Sequence, residues 1–292
     1  MAGVRAQLTT YAYRGAARAA QLVPAPLVPG LAKVVGRIGG WPQRGNRRMS
    51  ARHQRRVTGR TDPGVVDEVF EWYGRYWLEI FRLPAEVRHD AVLANFTIEG
   101  YEHVTDGLAE GNGVILALPH LGGWEWAAAW MATKGHHMLA VVEPLQPPEL
   151  LEWFARQREA IGLEIVPIGP DVSRVVLRAL RDDRIVCLLS DRDLTGDGVA
   201  VEFFGERTTL PAGPATLALR TGAALLPVAV YFAPGRGHHG VVRPPISTAR
   251  EGRLRDDVAR ITQALAHEFE DLIRAAPEQW HLLQPNWPSD RE

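Results

Sequence analysis

Val114-Ile115-Leu116-Ala117-Leu118-Pro119-His120-Leu121-Gly122-Gly123-Trp124-Glu125 reads as a strand, a turn and the start of a helix. An unbroken apolar run of this length suits a strand buried on both faces. Proline ends the run, the glycine pair turns the chain, and a helix is expected over Trp124–Thr133. The same succession recurs downstream. Strands are expected at Met138–Val142, Glu164–Ile168, Ile185–Leu189, Leu225–Phe232 and Gly240–Arg243. Helices are expected at Pro148–Ile161, Val172–Leu180, Pro211–Arg220 and Leu254–Ala275. This alternation predicts an α/β fold with a mostly parallel central sheet flanked by helices. Upstream, Val66, Val69, Phe70, Tyr73, Trp77, Ile80 and Phe81 recur at helical spacing, and Pro84 is expected to end that helix.

The chain has 292 residues, 46% hydrophobic and 23% charged, which excludes wholesale disorder. A single cysteine, Cys187, excludes a disulfide scaffold, a thiolate zinc site and an iron–sulfur cluster. A reducing cytoplasmic setting is the simplest reading. The longest apolar stretch, Thr221 to Gly235, contains Pro227 and is too short for a bilayer span, so no crossing of the membrane is expected.

Charge divides the chain unevenly. Residues 1–60 carry 12 of the 33 Lys and Arg and no acid, leaving 21 bases against 34 acids in the remainder. Such an extension suits a polyanion, either nucleic acid or an anionic membrane. Leu8, Tyr11, Tyr13, Leu22, Val23, Leu27, Val28, Leu31, Val34, Val35, Ile38 and Trp41 are interleaved with Arg5, Arg14, Arg18, Lys33 and Arg37. That mixture favours a lipid surface over nucleic acid. A solvated basic arm lying over an acidic body is the alternative. The expected organisation is a basic, helical, membrane-contacting extension over residues 1–60 and a catalytic-type domain over residues 61–292.

In open α/β sheets, ligands gather beyond the C-terminal ends of the strands. His120 stands at such an exit and Glu125 in the first turn of the next helix. The glycine-pair turn between them could let the carboxylate orient the imidazole as a general base. His120 could instead be a turn residue bonded to backbone. The strand Ile185–Leu189 exits into Ser190-Asp191-Arg192-Asp193, whose charges could enter the same crevice or form a salt-bridged turn. Glu143 ends another strand, and Arg158 lies on a helix with Glu152 and Arg156; each reads either as a binding group or as a solvated charge. Backbone N–H groups at Pro211-Ala212-Gly213-Pro214 could cradle a phosphate or an oxyanion. His136-His137 and His238-His239 read as surface loop pairs, and no ligand spacing suggests a metal. The sequence contains no GxSxG or P-loop motif, and Cys187 reads as core. Direct transfer to an acceptor activated by His120 is therefore the economical chemistry.

His120-(x4)-Glu125 resembles the H-x4-D/E signature of glycerolipid and lipid A acyltransferases. Cys187–Leu194, Val201–Glu206, Leu210–Pro214 and Leu219–Pro227 resemble more specifically the actinobacterial branch, the phosphatidylinositol mannoside acyltransferases. The likeness spans roughly residues 65–290, including Gln279-Trp280-His281. It implies a glycerolipid-acyltransferase-like fold and a peripheral protein at the cytoplasmic face of the plasma membrane. The implied reaction moves a palmitoyl-type chain from acyl-CoA to the 6-hydroxyl of mannose in a phosphatidylinositol mannoside. By the same resemblance His120 is the general base, Asp191 its paired carboxylate and Glu125 a support for the imidazole, with Glu143 and Arg158 lining the groove. Arg192 and Asp193 are expected to bind substrate. Glu125 replaces the commoner Asp of the motif, and Asp191 stands where relatives carry a longer Glu. No cofactor is implied, acyl-CoA being a co-substrate. Rival readings are another acceptor such as a lysophospholipid, an acyl-CoA thioesterase, and a non-catalytic lipid- or acyl-carrier-binding protein.

Overall fold

A computed structural model of the chain describes residues 2–87 and 89–291. Its elements in order are α1 Ala2–Leu22, α2 Val28–Gly40, α3 Arg44–Thr58, α4 Pro63–Glu86, α5 His89–Asn95, β1 Phe96–Glu99, α6 Tyr101–Ala109, β2 Val114–Leu118 and α7 Trp124–Thr133. Next come β3 Met138–Val142, α8 Pro148–Glu159, β4 Leu163–Pro167, α9 Val172–Arg181, β5 Ile185–Leu189, β6 Val199–Phe203 and β7 Glu206–Leu210. The chain continues through α10 Gly213–Thr221, β8 Ala224–Phe232, β9 His238–Val242 and α11 Leu254–Ala275.

Seven strands form one sheet in the order β1-β9-β8-β2-β5-β3-β4. Its centre is parallel, while β9 runs antiparallel to β8 and carries β1 parallel to itself. Alternation along the central strands feeds two cores. Ile115, Ala117, Val186 and Leu188 pack toward α9, α10 and α11. Val114, Leu116, Leu118, Ile185 and Cys187 pack toward α6 and α7 on the other face. A strand apolar on every residue is thereby satisfied on both sides.

The helix α4 starts where Asp62 accepts a hydrogen bond from the Val65 N–H and Pro63 occupies the first turn. It runs two residues beyond the expected stop at Pro84. Proline withholds only its own N–H from the ladder, and the Val87 N–H closes the last turn onto the Leu83 carbonyl. The helix α2 lies close against it at Gly36, where a side chain would collide with the Phe70 carbonyl. Among the described residues no single helix is long and apolar enough to cross a membrane; α1 and the following segment bend by 107°.

Other departures from the expected elements have local causes. The hairpin β6–β7 turns through Phe204 and Gly205, both at positive φ, without the Asn-Gly or Asp-Gly pair that would have announced it. The strand β9 begins at His238, two residues earlier than expected. His238 is therefore buried, not on a surface loop. Its Nε2 lies 2.8 Å from Glu79 Oε2, and its ring stacks on Trp126 at 4.3 Å. Similar shifts move β4 one residue earlier, end α8 two residues earlier at Glu159 and start α10 two residues later at Gly213. The strand β1 and the helices α5 and α6 join the expected set.

Candidate active site

Two neighbouring strand exits build the centre of the site. The pairing of β2 with β5 sets Leu118 against Leu189, and the Ser190 N–H extends the ladder to the Leu118 carbonyl at 2.8 Å. His120 and Asp191 each follow two residues beyond that pair, so the register alone brings them together. Between His120 and α7, Gly122 has a φ of 59°, and a Cβ there would lie 1.8 Å from the Val230 carbonyl oxygen. This turn tolerates glycine only. The backbone of His120 is also tied down: its carbonyl accepts the His281 N–H at 2.8 Å.

His120 Nδ1 lies 2.5 Å from Asp191 Oδ1. Asp191 Oδ2 accepts the His120 backbone N–H at 3.0 Å and the Trp280 indole N–H at 2.7 Å. The Asn286 side-chain amide donates to the Asp191 backbone carbonyl at 2.9 Å. Asp191 is 0% exposed, whereas the His120 side chain keeps 38% of its surface. Burial opposes the Asp191 charge, but the His120 imidazole, the Trp280 indole and the His120 backbone N–H override it and hold the carboxyl below the usual carboxylate range. Stability from this group is present above the ordinary carboxylate pKa and is lost as pH falls through the depressed one. A carboxylate at Nδ1 selects the tautomer with its proton there, which leaves Nε2 as a free base.

His120 borders a cavity of about 580 Å³. Its walls are largely apolar, from Trp77 and Ile80 of α4, Phe154 of α8, Val172 and Val176 of α9 and Leu217 of α10. Arg158, Glu143, Arg192 and Asp193 also line it. Arg192 reaches toward Glu143 at 3.6 Å, and that carboxylate is mostly exposed. The Asp193 carboxylate accepts the N–H groups of Thr195, Gly196 and Gly198 in its own loop and the Thr209 hydroxyl from β7. Although these bonds work against its partial burial, they lower its pKa. These bonds shape the loop after β5 while Asp193 still lines the cavity. Pro211, Ala212, Gly213 and Pro214 form part of the wall, but two of the four are prolines and offer no N–H.

Glu125 finds other partners than His120. Its Oε1 accepts Arg158 Nη2 at 2.9 Å and the Tyr76 hydroxyl at 3.3 Å, and the residue is 3% exposed. Glu125 thus joins α7 to α8 and α4 beneath the cavity. Burial opposes the Arg158 charge, and Glu125 overcomes it, raising the guanidinium pKa. Tyr76 is pushed far up by burial first and by Glu125 second, so it remains a donor. Burial likewise keeps the Cys187 thiol protonated and unreactive. His281 is pushed down to about 3, first by burial and then by His120, and stays neutral. Among the described residues no group of three or more His, Cys, Asp or Glu could hold a metal ion.

Sequence reasoning placed His120 and Asp191 at strand exits but gave no part to Tyr76, Trp280 or Asn286. Tyr76 shares the stripe of Tyr73 and Ile80 on α4. Trp280 lay within the C-terminal segment of the family resemblance, the only signal that singled it out.

Residues 6–289 match the family described as bacterial lipid A biosynthesis acyltransferase. The chain is 42% identical over 243 residues to a phosphatidylinositol mannoside acyltransferase of Mycobacterium tuberculosis (strain CDC 1551 / Oshkosh), covering 80% of this chain and 75% of the relative. It is 37% identical over 295 residues to the protein of the same name from Mycolicibacterium smegmatis, covering 97% and 93%. It is also 25% identical over 262 residues to a lipid A biosynthesis acyltransferase of Haemophilus influenzae, covering 85% and 78%.

Proposed function

Because the chain belongs to the bacterial lipid A biosynthesis acyltransferase family, and is thus an acyltransferase, we propose that it moves a palmitoyl-type chain from acyl-CoA to the 6-hydroxyl of mannose in a phosphatidylinositol mannoside. The observation that carries this reading is the His120–Asp191 pair opening onto the apolar cavity. His120 Nε2 takes the proton of the sugar hydroxyl as its oxygen attacks the thioester carbonyl. A tetrahedral oxyanion forms and collapses with cleavage of the C–S bond. The departing thiolate recovers the proton from the imidazolium, which Asp191 stabilises meanwhile. The apolar walls receive the acyl chain, while Arg192 and Glu143 stand where polar parts of donor or acceptor pass. No cofactor takes part.

The test offers palmitoyl-CoA or a palmitoyl acyl carrier protein together with a phosphatidylinositol mannoside, a lysophospholipid or no acceptor. Acylated mannoside from the CoA donor is the expected product. Product with the lysophospholipid alone would discard the acceptor, product from the carrier protein alone would discard the donor, and CoA release without acceptor would identify a thioesterase.

In this reading residues 1–60 form the membrane-contacting part of a peripheral protein at the cytoplasmic face of the plasma membrane, and residues 61–292 the acyltransferase domain. Support comes from α2 and its flanks, where Leu22, Leu27, Val34, Val35, Ile38 and Trp41 are exposed, Ile38 at 67% and Trp41 at 78%. Lys33 and Arg37 lie among them, half-exposed beside Glu71. Burial of two such side chains in headgroups contributes enough for a large effect. The Ile38→Asp/Trp41→Asp variant is expected to bind anionic vesicles at least about tenfold more weakly in co-sedimentation, at unchanged Tm. Unchanged vesicle binding would remove this role.

A further inference from the structure

Three hydrogen bonds converge on the Asp191 carboxylate, and only one comes from the imidazole it serves. The torsion that turns a carboxylate about its last bond is soft, so a single partner leaves the plane free to swing. Oδ2 is held by two donors on backbone and ring, the His120 N–H at 3.0 Å and the Trp280 indole N–H at 2.7 Å. An indole can only donate, so this contact has one sense. The ring is itself fixed: Trp280 is 1% exposed, and its centroid lies 5.3 Å from that of His53 and 6.0 Å from that of Phe204. A backbone bridge joins Trp280 to Leu121, next to the base.

We propose that Trp280 is a positioning residue for acyl transfer, its indole N–H pinning Asp191 Oδ2 so that Oδ1 stays aligned on His120 Nδ1. The inference rests on the reading of His120 as the base. Trp280 is buried and is not among the residues lining the cavity, so its removal is expected to act on the chemical step and not on binding.

Trp280→Phe keeps an aromatic ring and deletes the donor. Expected is a fall in kcat of roughly 10–100-fold, the size of one lost charge-assisted hydrogen bond, with KM for both substrates within about twofold. In an Asp191→Asn background the same substitution is expected to add nothing, because the two act in series. Should Trp280→Phe not fold, 3-benzothienylalanine at position 280 replaces the N–H by sulfur in a ring of nearly the same shape. A wild-type kcat, a loss confined to KM, or an equal fold-loss in the Asp191→Asn background would overturn the proposal. Full activity of His120→Ala would instead defeat the base assignment beneath it, so the two failures are distinguishable.

Discussion

His120→Ala is expected to lower acyl transfer by about 10²–10⁴-fold, the usual worth of a positioned general base. The protein should remain folded. The side chain is 38% exposed, so little apolar burial is lost. Asp191 keeps the Trp280 donor and the backbone N–H of residue 120, and the space left by the ring opens Oδ1 to the cavity. The measurement is initial transfer rate beside Tm and far-ultraviolet circular dichroism. Added imidazole should restore part of the rate by entering the vacated space. An unchanged rate would remove His120 from the mechanism.

Glu125→Gln should act on a different quantity. Glu125 and Arg158 are both buried, and their contact is 2.9 Å. Removing one partner of a buried ion pair leaves an uncompensated charge and costs about 3–5 kcal/mol. Native proteins hold only about 5–15 kcal/mol in total. A marked fall in Tm and in soluble yield is therefore expected, larger than for any substitution at the exposed mouth of the cavity. The double variant Glu125→Gln/Arg158→Met should recover most of that loss, since neither charge is then stranded. Unchanged Tm with transfer lost to the extent of His120→Ala would show that the Glu125 carboxylate acts on the reaction itself.

These two expectations separate the ends of one short motif. From the sequence alone His120 and Glu125 look like a pair, because they stand five residues apart around a glycine turn. Their actual partners lie 71 and 33 residues away, on β5's exit and on α8. Asp191 was legible because strand exits in a parallel sheet converge, a rule of topology that an apolar run reveals. Spacing alone left Arg158 open between a binding group and a solvated helix charge, and only the family resemblance put it in the groove, since its place there depends on how α8 packs against α4 and α7. His238 escaped for a related reason: a histidine beside another histidine looks solvent-facing until Glu79, 159 residues earlier, is folded against it. The basic segment was legible as an extension, but not the depth of α3. There His53 and Gln54 are buried, and Arg56 pairs with Asp290 at 2.7 Å. Composition averages over a helix; burial discriminates its faces.

Trp280 and Asn286 follow every strand of the sheet in chain order, yet both bond to Asp191. During synthesis, the sheet and the His120–Asp191 contact could assemble while those residues are still to be added. The carboxylate gains its indole donor, and the Asp191 carbonyl its amide donor, only when the tail closes over them. Until that segment docks, a groove that is already made lacks the indole donor to the carboxylate that serves its base.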